Sequence, residues 1–226
     1  MLGRASALVC ISKQTGLHLE EVYGLGPDDY RVIYNGNSLS HFPGAAKSRF
    51  QRERPFLLCI GVMSPRKNAH VLCGMLANLP DFDLILAGPP HSDYRRKIED
   101  EAVKFGVSDR VIFAGEVSEE EKYRLYQNME ALVFPSLAEG FGLPVTEAMS
   151  LGKPVFLSRF GSLPEIGGAL ANYWENFEAE EMAQVVSQGL KQHQEMGQSE
   201  ALKERAALFS WDKTAEEYIR LYRSLG

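Results

Sequence analysis

Five short apolar runs, each closed by a turn residue, constrain this chain more than any other feature. They span Phe56 to Ile60, Phe82 to Ala87, Arg110 to Phe113, Ala131 to Phe134 and Pro154 to Leu157, and Gly61, Gly88, Gly115, Pro135 and Ser158 end them. A strand with one wet face alternates apolar and polar residues. One that is apolar nearly throughout is covered on both faces, which means a parallel sheet between helices. The segments between the runs are amphipathic. Residues 66–79 place Val71, Leu72, Met75, Leu76 and Leu79 on one face. Residues 118–129 open with the capping box Ser118 to Glu121, and 178–191 and 212–224 show the same helical period. The alternation predicts an α/β fold, a Rossmann-like doubly wound parallel sheet in three layers, α/β/α. Ligands of such sheets sit beyond the carboxyl ends of the strands, so the loops after residues 60, 87, 113, 134 and 157 are where function belongs.

Composition narrows the class. Of 226 residues 45% are apolar, enough for a sizeable core and too many for a disordered chain. Thirty acidic against 24 basic side chains give a net charge of −6, which argues against nucleic acid as the main partner. No apolar run approaches the roughly 20 residues that cross a bilayer. The start, Met1 to Ile11, is too short and too soon polar for a secretory signal. Cys10, Cys59 and Cys73 lack metal spacing and read as reduced, buried thiols of a cytoplasmic protein. His18, His41, His70, His91 and His193 form no metal or triad pattern, so no metal is expected. No G-x-G-x-x-G follows a strand, which argues against a nicotinamide dehydrogenase, and no G-x-S-x-G occurs. Trp174 and Trp211 read as core or interface anchors.

The first 55 residues read differently. A strand-like run from Ala7 to Ile11, a helix over 12–23 and a strand from Arg31 to Tyr34 lead to the turn Asn35-Gly36. These carry too few core residues for an independent domain. The basic stretch Lys47 to Arg54 reads as a solvated linker in preference to a contact with anionic lipid.

Three loops carry chemistry. In the first, Pro135 to Met149, Gly140 and Gly142 free the backbone for close approach to a ligand, and Pro144 suits the start of a helix. A helix start aims unpaired N–H groups outward and favours an anion. Glu139 and Glu147 flank it. In the second loop Ser64 is a candidate N-cap and Pro65 a first helical residue. Arg66 and Lys67 then fall at the positive end of a helix, a conflict that a bound anion would relieve. Solvation relieves it too, at a cost of tenths of a kcal/mol. In the third loop Ser162 and Glu165 form a capping box, which accounts for Glu165 without a ligand. Together the loops suit a diphosphate with polar groups at both ends, an object like a nucleotide sugar.

The E-x7-E element from Glu139 to Glu147, with its Gly140-Phe141-Gly142-Leu143-Pro144 centre, resembles the "glycosyl transferases group 1" family, retaining glycosyltransferases of the GT-B fold. Pro135-Ser136, Gly152-Lys153-Pro154-Val155, Ser162 to Glu165, Pro65 to Asn68 and Phe113 to Val117 resemble the same pattern in order. The resemblance implies that the C-terminal domain of this fold holds the donor sugar nucleotide. It implies Lys67, with Arg66, on the diphosphate. The backbone of Gly140, Phe141, Gly142 and Leu143 would hold the β-phosphate and sugar, and the backbone up to Val117 would line the base. Glu139 would be the catalytic carboxylate at the transferred sugar, and Glu147 would bind the ribose. Val62 departs from the family's arginine after the first loop's glycine, and Leu163 to Gly168 lacks the acidic residue that the family commonly has after the last glycine.

The resemblance further implies that residues 1–36 are a remnant of an N-terminal, acceptor-side domain with its linker, and 37–226 the donor-binding domain with a C-terminal crossing helix. The function expected is metal-independent transfer of a sugar to a saccharide or lipid-linked acceptor, as in polysaccharide biosynthesis. The leaning is toward a GDP-sugar such as GDP-mannose. The chain alone would be inactive, and a protein partner or self-association would engage apolar surface on helices 12–23 and 212–224. Localisation would be cytoplasmic or peripheral to the inner face of a membrane. The alternative is a non-catalytic sugar-nucleotide-binding subunit or sensor; a GT-B epimerase suits the glycine-rich centre less well.

Overall fold

The computed structural model describes residues 5–37, 39, 50, 53–89 and 92–226. Its strands are β1 (Val9–Cys10), β2 (Arg31–Val32), β3 (Phe56–Ile60), β4 (Asp83–Ala87), β5 (Val111–Gly115), β6 (Ala131–Phe134), β7 (Val155–Leu157) and β8 (Asn172–Tyr173). Its helices are α1 (Lys13–Tyr23), α2 (Val71–Ala77), α3 (Ser92–Lys104), α4 (Glu119–Asn128), α5 (Leu143–Ser150), α6 (Leu163–Gly167), α7 (Ala179–Met196), α8 (Ser199–Ala206) and α9 (Trp211–Leu225).

Strands β3 to β8 form one parallel sheet in the order β5-β4-β3-β6-β7-β8. The chain winds outward from β3 in one direction, returns to the middle at β6 and winds out in the other. This is the doubly wound order, and its switch point lies between β3 and β6. The continuous apolarity has the expected cause. Leu57, Cys59, Leu84, Leu86 and Val133 face a core closed by α2, α3 and α7. Their neighbours Leu58, Ile60, Ile85, Leu132 and Phe134 face a second core, closed by α4, α5, α6 and α8. Strands β3, β4, β6 and β7 therefore have water on neither side, while the edge strands β5 and β8 are half-buried.

The first unit is a smaller parallel pair, β1 with β2, joined through α1. Ser12 caps α1 by accepting from Thr15 N, and Gly24, in the left-handed region at φ 68°, ends it. Beyond β2, Tyr34 inserts its ring against Phe141 and edge-on to Phe209, at centroid distances of 6.3 and 5.5 Å. Each such pair adds about 1 kcal/mol beyond its buried area. Thr214 on α9 donates to Tyr34 O at 2.7 Å, so both ends of the chain close on this residue.

Several expectations change. The single helix over 66–79 is instead a 3-10 turn at Pro65–Lys67 followed by the seven-residue α2, because Asn68 turns left-handed at φ 55°. Ser64 makes no side-chain cap there. The box at Ser162 does not form either, since both of its members bond elsewhere. The helix read over 178–191 runs on to Met196, while β1 and β2 are shorter than their apolar runs. Helices α3 and α8 and strand β8 add to the elements expected from the sequence. Cys10, Cys59 and Cys73 are buried free thiols, and burial pushes the Cys59 thiol up to about 12. Trp174 is buried against Phe156, whereas Trp211 is half exposed. Leu17, Val22 and Tyr23 on α1 and Ile219, Tyr222 and Leu225 on α9 are exposed, the apolar surface expected on those two helices. His41, His91 and most of the basic stretch 47–54 lie outside the described residues. Among the described residues no helix is long and apolar enough to cross a membrane, and no cluster of three or more His, Cys, Asp or Glu could hold a metal ion.

Candidate functional site

The switch point brings together the loops after β3 and β6. Leu137 N donates to Arg66 O at 2.8 Å, so the two loops are hydrogen-bonded across the crevice. Lys67, in the 3-10 turn, folds back over the end of β6. Its Nζ lies 4.0 Å from the Phe134 ring centroid and donates to Glu139 Oε1 at 2.8 Å. Arg66 Nη1 donates to Ala138 O at 2.6 Å and lies 3.3 Å from Glu139 Oε2. The conflict of two cations in one helical turn is thus met by a carboxylate of the chain itself. Two cations against one carboxylate leave the crevice one positive charge. Lys67 is 5% exposed, so its ammonium sits in a setting of low dielectric, while Arg66 is half open to solvent.

The loop that carries Glu139 is fixed from below. Ser162 N donates to Glu139 O at 3.1 Å, and the single Ser162 Oγ hydrogen is shared between Phe141 O at 2.7 Å and Glu139 O at 3.1 Å. Gly161 stands at φ 61°, and a Cβ there would lie 2.6 Å from Glu139 O, so only glycine fits beneath the loop. Gly142, at φ 101°, is the N-cap of α5, which starts one residue before Pro144. The Phe141 side chain is buried between Tyr34 and Phe209, so what Phe141, like Gly140 and Gly142, has for a ligand is backbone. At the start of α5 Pro144 carries no N–H and Val145 N donates to Gly142 O at 2.9 Å, so Leu143 is the first-turn residue whose amide has no acceptor within the helix.

Glu147 stands apart from this pair. It is buried, accepts from Tyr126 OH at 2.7 Å and lies 3.2 Å from Lys122 Nζ, which also pairs with Glu119 at 2.8 Å. Burial pulls the Lys122 ammonium down, but the two carboxylates outweigh it and its pKa is raised. Burial, with the Glu147 charge, holds the Tyr126 phenol well above its ordinary range. Val117 is half-buried over the same core, beyond Gly115 at φ 67°. Gly88 N donates to Gly115 O at 2.6 Å, which ties the loops after β4 and β5. Val62 is exposed.

Sequence reasoning did not find Lys122 or Tyr126. The i,i+3 spacing of Glu119 and Lys122 was visible, but their approach to Glu147 depends on how α4 and α5 pack. Nor did it find the role of Glu165. That carboxylate accepts from Lys13 N at 2.9 Å, Gln14 N at 3.3 Å and Tyr34 OH at 2.6 Å, capping α1 in place of its own helix. Thr15 Oγ1 donates to Gly140 O at 3.3 Å, so α1 is also bonded to the glycine-rich loop.

Residues 45–208 match the family model described as glycosyl transferases group 1. The chain is 27% identical to a D-inositol 3-phosphate glycosyltransferase of Mycobacteroides abscessus, over 98% of this chain and 52% of the relative. It is 30% identical to the serotype-specific mannosyltransferase WbdA of Escherichia coli, over 98% of this chain and 29% of the relative. A solved structure of Anabaena HepE in complex with UDP and glucose superposes with a TM-score of 0.86 at 22% identity, covering 97% of this chain and 64% of that one. The chain spans about half the length, or less, of these two curated relatives.

Proposed function

The chain belongs to the glycosyl transferases group 1 family, and from that premise we propose that its switch-point crevice binds a nucleoside diphosphate sugar as donor for glycosyl transfer. The observation that carries this reading is the buried Lys67, held beside Glu139 at the mouth of a glycine turn that opens α5. A buried ammonium and the positive end of a helix act on the same charge, that of a diphosphate leaving group, and stabilise it without a metal. Arg66 adds a fork suited to phosphate oxygens.

In this reading Glu139 lies at the transferred sugar, as the catalytic carboxylate of a reaction that retains anomeric configuration. Glu147, held by Lys122 and Tyr126, is a fixed acceptor for the ribose hydroxyls. The backbone from Gly115 to Val117 lines the base. The acceptor is a saccharide or lipid-linked saccharide. Mannose is the sugar favoured, because a mannosyltransferase stands among the relatives and the Ser64 to Asn68 loop suits GDP. HepE, solved with UDP and glucose, makes UDP the competing choice. Residues 37–226 form the donor-binding part, and β1, α1 and β2 belong to its acceptor-side neighbour.

Calorimetric titration with GDP, UDP and ADP tests the reading. Binding of one of them, lost on Lys67→Ala, is the expected result. No heat with any of the three overturns the donor site.

A further inference from the structure

Lys67 is confined on three sides. Its Nζ stands over the Phe134 ring, and its stem crosses Gly61, where a Cβ would come within 2.9 Å of Cε. The third side is the Glu139 carboxylate at 2.8 Å. The ring ends a central strand and the glycine is main chain, so neither can withdraw. Glu139 can. Its backbone is pinned by Ser162 and Gly161, but among the described residues its side chain is held by Lys67 and Arg66 alone. An anion reaches the buried ammonium along the direction that Glu139 takes.

We propose that Glu139 is an exchangeable counter-anion, which competes with the donor's diphosphate for Lys67 and Arg66 and thereby favours intact donor over the spent diphosphate. This rests on the reading that the crevice takes a nucleoside diphosphate sugar. A ligand that must displace an internal partner binds with an affinity reduced by the fraction of time the site is free. Once displaced, the carboxylate accepts hydrogen bonds from the hydroxyl groups of the transferred sugar, which a nucleoside diphosphate lacks, its ribose hydroxyls being at Glu147 in this reading. The donor recovers part of the displacement cost; the product does not, and leaves.

The consequence runs against the usual expectation for a residue that touches substrate. Glu139→Gln keeps the shape and removes the competing charge, so pyrophosphate, GDP and UDP should each bind about tenfold more tightly than to the unaltered chain, at the low end for close charge pairs. The double variant Lys67→Met with Glu139→Gln should lose that gain. Should Glu139→Gln unfold, Glu139→Asp draws the carboxylate back by one methylene and is expected to give a smaller gain. Titration calorimetry with the three probes reads all of these. If the unaltered chain binds a nucleoside diphosphate and Glu139→Gln binds it no more tightly, the exchange is refuted while the donor site stands. If neither binds any probe, both fail.

Discussion

The two glutamates of the E-x7-E element sit in opposite circumstances. Glu139 lies on a loop, and its partners are a buried lysine and a half-exposed arginine that belong to another loop. Glu147 lies in a helix under its neighbour, with a phenol and an ammonium from α4 fixed upon it. Both pair with lysine at hydrogen-bonding distance, yet Glu139 projects from a loop and is held by cations alone, whereas Glu147 is built into α5 and is held by a buried phenol as well. A carboxylate that must respond to a ligand is placed on a loop with exchangeable partners. One that must present a constant acceptor is placed on a helix with permanent ones. A shared motif therefore carries two kinds of work.

Substitutions should separate the two environments, and the largest effect belongs to the loop pair. Lys67→Ala removes the buried cation and should weaken nucleoside diphosphate binding about a hundredfold, measured by titration. Lys122→Met acts on the helix pair and leaves Glu147 buried with the phenol as its remaining partner. Unfolding by urea should show a loss of about 2 kcal/mol, somewhat below the cost of breaking a fully buried pair because Lys122 is in part exposed. Tyr126→Phe removes one hydrogen bond to a buried carboxylate and should cost about 1–2 kcal/mol in the same assay. Arg66→Ala touches a side chain half open to solvent, so nucleotide affinity should fall less than about fivefold. If Arg66→Ala exceeded Lys67→Ala, the weight given to the buried ammonium over the half-exposed guanidinium would be misplaced.

The helix pair should also show in alkali. Burial, with Glu147, raises the Tyr126 phenol above its ordinary 10.0, and Glu119 and Glu147 raise the Lys122 ammonium above 10.5. Both groups hold their protons more tightly folded than unfolded, so their contribution is complete at neutral pH. It declines as pH rises past the unfolded values toward the folded ones. Stability should therefore fall above about pH 10. Tyr126→Phe should flatten that limb, which a urea series across pH reads.

The same contrast shows what the sequence made legible. Strands β3 to β7 were readable because burial on both faces writes itself into four to six consecutive residues. The loops at 61–68, 135–142 and 158–165 were readable because glycine and proline are the residues those turns require, at Gly142 and Gly161 above all. Helical breaks were harder. The 66–79 period was sound at Val71, Leu72, Met75 and Leu76, but Asn68 in the left-handed region broke the element, and asparagine tolerates that conformation without announcing it. Side-chain partners were hardest of all. Ser162 and Glu165 have the spacing of a capping box, yet Glu165 caps a helix 152 residues earlier in the chain. Lys122 reaches Glu147 across 25 residues and two helices. Such pairings depend on how elements dock, and no local period records them.

A structure of the chain with its nucleoside diphosphate tests the central claim most directly. The expected result places the β-phosphate within about 3 Å of Lys67 Nζ, in front of the start of α5, with Glu139 turned away from the lysine. A nucleotide bound elsewhere, with the 2.8 Å contact between Lys67 and Glu139 intact, would contradict it.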